Sequence, residues 1–389
     1  MKHLLKNLYK GRLWERKVNW EYLYSIPEFN ILNFCEQNPK WHSEGNVMEH
    51  TKLAIKKFED EVLDSRRYCW FSNTERFIIR ASIILHDIGK GVTTEIGKDG
   101  NWHSYGHEIE GEKIARILLW NEDITIRETI CSLIRYHMEP LRIFDSKNWI
   151  HRIIEIGYRV PWKMLYCVKM ADLLGSVQVN GGTMKEDLQK LELIKKCAIS
   201  LGVWDNAKNQ DYKDLVKYGN NKNILPWKVN YDTDKNAYIL IGLPGAGKNT
   251  IIEDKTVIKE DNFVHISRDD IREELSLCLP GEKYLGTQEE EERVTNLYEE
   301  KLKNAMFNGK TIILNNTHLK KKYREASTKP LRENGYNIIY VYVEAPTLEI
   351  NYKRRDGQIP SNSIKSMALK FEFPEPCEYD KLIIKKQTL

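Results

Sequence analysis

Four histidines and two aspartates carry the first hint of chemistry: His50, the pair His86-Asp87, His107, His137 and Asp172. Each falls on or beside an apolar helical stretch. His50 shares a face with Val47, Leu53 and Ala54, His86-Asp87 closes an amphipathic run, His137 follows Leu133 and Ile134, and Asp172 sits in Met170-Ala171-Asp172-Leu173. All six should therefore point inward. A single buried histidine is ordinarily a hydrogen-bonded core residue, but six ionisable groups in one helical bundle are costly without a cation to pair with. Imidazole with carboxylate suits Mn, Fe, Co, Ni or Zn better than Mg²⁺. One or two such ions would lower the pKa of bound water and neutralise a phosphoester, with Lys90 available to hold a phosphate oxygen.

A second chemistry follows in Gly242-Leu-Pro-Gly245-Ala246-Gly247-Lys248-Asn249-Thr250. The apolar run Ala237–Ile241 precedes it and Ile251-Ile252 follows, the strand–loop–helix context of a phosphate-cradling loop. Its glycines let backbone N–H groups turn toward phosphates, the helix start adds its positive end, and Lys248 would bridge the β and γ phosphates of a nucleoside triphosphate. Asn249 departs from the motif, because Ser or Thr there normally offers Mg²⁺ a hydroxyl; Asn249 or the adjacent Thr250 could take that place. Next, Ser267-Arg268-Asp269-Asp270-Ile271-Arg272 begins where a strand ends, at the edge where α/β sites form. A carboxylate there can accept a proton from an attacking hydroxyl and an arginine can hold an acceptor phosphate; a capped, salt-bridged helix start reads equally well. Thr347–Arg355 ends in Lys353-Arg354-Arg355-Asp356-Gly357, either a lid that closes on the transferring phosphate or a helix C-terminus with favourable cations.

The elements that must position these groups fall into two kinds. Up to about residue 205 the periodicity is helical, with Thr74–Leu85, Ile124–His137 and Trp162–Leu174 as clear stretches and no convincing alternating strand. Residues 206–233 are polar and read as a linker. From 234 to 389, short apolar runs at Ala237–Ile241, Phe263–Ile266, Thr311–Leu314 and Asn337–Val343 alternate with helices such as Gln288–Phe307, which predicts a parallel sheet. A length of 389 residues accommodates two such domains. The net charge of +4 permits a nucleic-acid partner without demanding one. The basic stretch Met1–Trp20 reads as a solvated arm. Seven cysteines without a CxxC fit reduced thiols. With no apolar core of a secretion signal and no apolar run near 18 residues, a cytoplasmic protein is expected.

The motifs resemble two families. Residues 237–373 or so resemble the phage-type 5′-hydroxyl polynucleotide kinases, in Gly-x-Pro-Gly-x-Gly-Lys-x-Thr, in Arg268-Asp269-Asp270-Ile271-Arg272 with one shorter gap, in Ile312–Leu314 followed by Asn316-Thr317-His318-Leu319, and in the lid around Arg355. The resemblance implies that Lys248 contacts the donor phosphates, Asp269 is the general base toward the 5′-OH, Arg272 holds the acceptor's phosphate, and Arg355, with Arg354 able to share the role, stabilises the transferring group. The family commonly has Asp where Asn316 stands, which implies a weaker Mg²⁺ shell. The front half resembles the HD phosphohydrolase superfamily, whose His…His-Asp…Asp signature is here His50, His86-Asp87 and Asp172. His107 and His137 fall where dinuclear members place extra ligands, with His103 a substitute for His107. His42, His151, His265 and His318 stay unassigned.

The order of the two parts resembles bifunctional enzymes that heal broken RNA ends before a separate ligase joins them. The implied fold is an all-α HD-type domain followed by an α/β P-loop kinase domain with a parallel sheet. The implied activities are metal-dependent removal of a 3′ or 2′,3′-cyclic phosphate and phosphorylation of a 5′-OH by ATP or another NTP with Mg²⁺. RNA ends, or DNA ends, are the implied partners, and monomer and homodimer both stay open. Two other functions fit the same motifs: an HD nucleotidase fused to a small-molecule kinase, and a nucleotide-sensing HD module with a degenerate kinase.

Overall fold

The computed structural model describes residues 4–10, 17–63, 71–179, 182–205, 234–277, 286–354 and 360–387. The linker at 206–233 and Arg355 lie outside the described residues. The chain divides into two compact units, residues 1–222 and 223–389.

The first unit is helical: α1 (Val47–Lys57), α2 (Asn73–Leu85), α3 (His107–Leu118), α4 (Ile124–Tyr136), α5 (Trp149–Arg159), α6 (Trp162–Gly175) and α7 (Met184–Ser200). Local chemistry sets their starts. Asn46 accepts from the Glu49 N–H at the head of α1, and Ser72 and Glu75 cap α2 reciprocally. Helix α6 is the axis of the bundle, packed against α1, α2 and α7. It is buried nearly all round, from Trp162 to Leu173, as its apolar sequence requires. Gly175 lets it approach α1 closely, because a Cβ there would lie 2.7 Å from the Ala54 Cα.

Two expectations for this unit need correction. The basic N-terminal stretch is not a solvated arm where it is described: Leu4, Leu5 and Leu8 are buried, and Tyr9–Lys10 pairs with Lys17–Val18. Its leucines outweigh its lysines. Strand pairing also occurs in this half, in that ribbon and in Glu95–Ile96 with Trp102–His103, but only as two-residue pieces too short to show alternation.

The second unit contains β1 (Asn236–Ile241), α8 (Lys248–Ile252), β2 (Phe263–Ile266), α9 (Arg268–Leu277), α10 (Gln288–Phe307), β3 (Thr311–Asn315), α11 (Lys321–Glu333), β4 (Asn337–Glu344), α12 (Leu348–Lys353), α13 (Ser361–Leu369) and β5 (Lys381–Lys386). The five strands form one parallel sheet in the order β2-β3-β1-β4-β5. Strands β1, β3 and β4 are almost wholly buried, which is why they read as continuous apolar runs. Strand β5 went unrecognised in the sequence, because Leu382-Ile383-Ile384 is short and lysines flank it, as suits an edge strand. No described helix is long and apolar enough to cross a membrane.

Candidate metal centre and phosphate-binding cleft

In the helical unit, His50 comes from α1, His86 caps the end of α2 with Asp87 beside it, His107 opens α3, His137 caps α4, and Asp172 faces in from α6. All six are buried. Their ligating atoms converge on Asp87 and Asp172. His50 Nε2 lies 3.0 Å from Asp172 Oδ1 and 3.8 Å from Asp87 Oδ2. His86 Nε2 lies 3.3 Å from Asp87 Oδ2 and 3.7 Å from Asp172 Oδ1. On the other side, Asp87 Oδ1 is 3.4 Å from His107 Nε2 and 3.9 Å from His137 Nε2.

Every one of the four imidazoles has its other nitrogen against a fixed acceptor. Nδ1 of His86, His107 and His137 meets the carbonyls of Ile83, Ser104 and Ile134 at 2.7, 2.8 and 2.7 Å. Nδ1 of His50 meets Glu44 at 2.9 Å. With Nδ1 so engaged, the Nε2 atoms are the ones that face one space, where a cation would displace any proton they carry, as in metal-bound imidazoles. His86 Nε2 is buried without a hydrogen-bond partner. This donor set fits one or two divalent transition metals, grouped as His50, His86 and Asp87 and as Asp87, His107 and His137.

The electrostatics carry the strain of that crowding. Burial disfavours charge on both aspartates, yet His86 and Lys90 hold Asp87, and Lys169 and His50 hold Asp172, well below the usual carboxylate range. Burial also opposes a charged His86, but Asp87 and Asp172 raise it to about 10. Burial, then the charges of His107 and His86, push His137 well down. Lys90 Nζ lies 2.7 Å from Asp87 Oδ2 and donates to Gln37 at 2.9 Å. Lys169 Nζ lies 2.7 Å from Asp172 Oδ2.

Two participants were missed in the sequence. Glu44 belongs to no periodic stretch, and Lys169 looks like any helical lysine until its burial is seen. His103 is not placed to replace His107. It sits in the Glu95–His103 hairpin, paired with Asp99 at 2.9 Å.

In the second unit the loop 242–247 runs from β1 into α8. Gly247 has φ +93° and Gly245 φ +72°, conformations that strain any side chain, and a Cβ on Gly245 would lie 2.4 Å from the Asn351 carbonyl oxygen. A cleft of about 790 Å³ opens over the loop, lined among others by Gly245, Lys248, Asn249, Asp269, Arg272 and Arg354. Ala246 is buried beneath it, its N–H on the Leu243 carbonyl at 3.1 Å. Lys248 Nζ donates to the Gly242 and Leu243 carbonyls, both at 3.1 Å. Asn249 lines the cleft, while Thr250 is exposed outside it. Asn249 Oδ1 accepts from Asn315 Nδ2 at 2.8 Å, and Asn316 Oδ1 accepts from the Arg268 N–H at 3.2 Å. Arg272 donates to Asp269 at 2.8 Å and to Glu291 at 2.9 Å. Arg354 donates to Gln387 at 2.6 Å.

Residues 47–175 match the family model described as HD domain, and residues 238–374 match the one described as AAA domain. The chain is thus a helical HD region followed by an α/β P-loop domain with a five-stranded parallel sheet. No curated protein matches it. Among solved structures, it is similar to a chain of "Structure of the Pnkp1/Rnl/Hen1 RNA repair complex", with 24% identity and a TM-score of 0.28. The match covers 35% of this chain and 43% of that one, less than half its length.

Proposed function

We propose that this union of an HD domain and a P-loop kinase-like domain heals RNA ends, one unit clearing a terminal phosphate and the other adding one. The convergence of His50, His86, Asp87, His107, His137 and Asp172 carries the reading. A buried six-membered donor set of this kind is excessive for structure alone.

At that centre the substrate is a 3′ or 2′,3′-cyclic phosphate. A divalent metal held by the six residues supplies an acidified water and charge neutralisation. The chain's own contribution is orientation. The carbonyls of Ile83, Ser104 and Ile134 fix the imidazoles. The Lys90 and Lys169 ammoniums, already beside the carboxylates, supply positive charge to the phosphate oxygens.

At the cleft, the loop N–H groups and Lys248 would hold the triphosphate of ATP or another NTP, and Asn249 would be the residue to hold Mg²⁺. Asp269 accepts the proton of the 5′-OH, Arg272 holds the acceptor's phosphate, and Arg354 and Arg355 serve the transferring group. RNA ends, with DNA ends as the comparison substrate, are the partners, and a separate ligase would consume the product. The Asn249–Asn315 hydrogen bond favours a second reading, a cleft that binds nucleotide and transfers slowly. Nucleotide affinity measured beside the single-turnover rate on a 5′-OH oligonucleotide separates the two: tight binding with slow transfer favours the second reading.

The deciding experiment uses end-labelled RNA carrying a 5′-OH and a 3′-phosphate or cyclic phosphate, with ATP and a panel of metals. Lys248→Ala should remove only 5′ phosphorylation and Asp87→Ala only 3′ dephosphorylation. Loss of both activities from either change overturns the assignment of separate sites.

A further inference from the structure

The side chain of Glu44 is 1% exposed, in the turn before α1, six residues ahead of His50. A buried carboxylate needs donors, and here three converge. His42 Nδ1 lies 2.8 Å and His50 Nδ1 2.9 Å from Oε1, and the Val177 N–H donates to Oε2 at 2.9 Å. A carboxylate only accepts, so both Nδ1 atoms carry hydrogen. Nε2 of His50 is then the nitrogen left for a metal: it faces Asp172 and Asp87, and a bound cation would displace any proton it shares with Asp172. The grouping of His42, Glu44 and His50 is close enough to suggest a cation site of its own. Its imidazole nitrogens, however, are spent as donors to a single oxygen, so it holds protons in place of an ion.

Val177 gives the contact its second half. It lies five residues past Asp172, on the segment leaving α6. Ser43 donates to the Val177 carbonyl from its N–H at 2.9 Å and its hydroxyl at 2.8 Å. The Val179 N–H donates to the Lys40 carbonyl at 3.2 Å. The turn carrying Glu44 is therefore laced to the chain that follows Asp172. We infer that Glu44 is a positioning residue for the metal centre, fixing the His50 tautomer and joining the first and last donors of the set into one rigid piece. This rests on reading the HD region as a metal site.

The test is Co²⁺ binding to the full chain, by calorimetry and by the visible absorption of the bound ion, in wild type, Glu44→Gln and His42→Ala. Glutamine keeps the shape but loses the charge that holds both imidazole protons. Glu44→Gln should weaken Co²⁺ binding by about 10- to 100-fold and shift its absorption, as second-shell carboxylates do, with 5′ phosphorylation unchanged. His42→Ala, which leaves the Glu44–His50 bond, should change affinity by less than about threefold. A Glu44→Gln variant with wild-type affinity and spectrum overturns the inference. A wild type that takes up no Co²⁺ overturns the metal reading itself, and this one with it. A long-range ¹H–¹⁵N spectrum of the zinc-loaded wild type needs no variant: His50 protonated at Nδ1 supports the inference, and His50 protonated at Nε2 sinks it.

Discussion

His107 Nε2 and His137 Nε2 lie 3.2 Å apart, although the carbonyls of Ser104 and Ile134 claim the Nδ1 protons of both rings. Two bare nitrogen lone pairs cannot rest at that distance without a proton or a cation between them. Asp87 Oδ1 is 3.4 Å from one and 3.9 Å from the other, while Oδ2 serves His86 and His50. Asp87 is thus the hinge of a two-part donor set.

That geometry predicts the number of bound ions. Wild type should bind two Mn²⁺ per chain, and His107→Ala or His137→Ala one, by equilibrium dialysis with elemental analysis. On the proposed function, phosphatase activity should fall by about 100-fold or more, because the variant would lose the charge neutralisation a second ion would supply. Retention of two ions in both variants would falsify the assignment of His107 and His137 to a second ion.

On the proposed function, the cleft of the second unit makes a prediction about affinity. Arg272 is held by Glu291 at 2.9 Å as well as by Asp269, so in its proposed role an acceptor phosphate would compete with Glu291. Glu291→Gln removes the charge that makes that competition strong. The KM for a 5′-OH oligonucleotide should fall by about three- to tenfold with kcat little changed, and the same KM for a nucleoside lacking that phosphate should not move. Arg272→Lys should raise the oligonucleotide KM instead, because an ammonium cannot grip a phosphate with two parallel bonds. Equal effects on both acceptors would remove Arg272 from phosphate recognition.

How much of this was legible in the sequence differs between the sites. Imidazoles on apolar helical faces announced themselves, since His50, His86 and His137 share turns with residues that must be buried. Glu44 and Lys169 did not. A glutamate in a turn and a lysine in a helix are ordinary until the fold buries them, and their burial depends on contacts with Val177 and Asp172 that lie 133 and 3 residues away. The phosphate loop needed only its glycines and the strand before it. Strand β5 escaped because an edge strand shows only one short apolar stretch between lysines.

Stability of the helical unit should depend on a buried charge cluster apart from the metal centre. Glu128 accepts from Arg116 at 2.9 Å and from Arg127 at 2.9 Å. Burial opposes its ionisation, but the two guanidiniums lower its pKa from 4.5 to about 2. A folded pKa below the unfolded one gives stability that is present above pH 4.5 and lost as pH falls through about 2. The shift corresponds to a contribution on the order of 3 kcal/mol. Glu128→Gln should lower the unfolding free energy at pH 7 by about that amount and flatten its dependence between pH 4.5 and 2, measured by urea titration. A variant within about 0.5 kcal/mol of wild type would mean the arginines find other partners at no cost.

His318 ties backbone strain to the phosphate cleft. It is the one non-glycine with positive φ among the described residues, at +45°, and it follows Asn316-Thr317 on the loop after β3. Its Nδ1 donates to the Leu240 carbonyl at 2.9 Å and its Nε2 lies 3.3 Å from Ser327 Oγ. Burial first, then the charges of Arg324, Lys248 and Arg268, bring its pKa down from 6.5 to about 4. A base whose folded pKa lies below its unfolded one binds fewer protons when folded, so stability rises with pH between about 4 and 6.5. The second unit should accordingly weaken as pH falls from 7 to 4.5. His318→Asn keeps a residue that tolerates the left-handed conformation and removes the proton-binding group. Its unfolding free energy should be about 1–2 kcal/mol lower than wild type at pH 7, for the lost ring contacts, and should change less between pH 6.5 and 4.5. Parallel pH profiles for the two proteins would show that some other group sets the acid limit of the second unit.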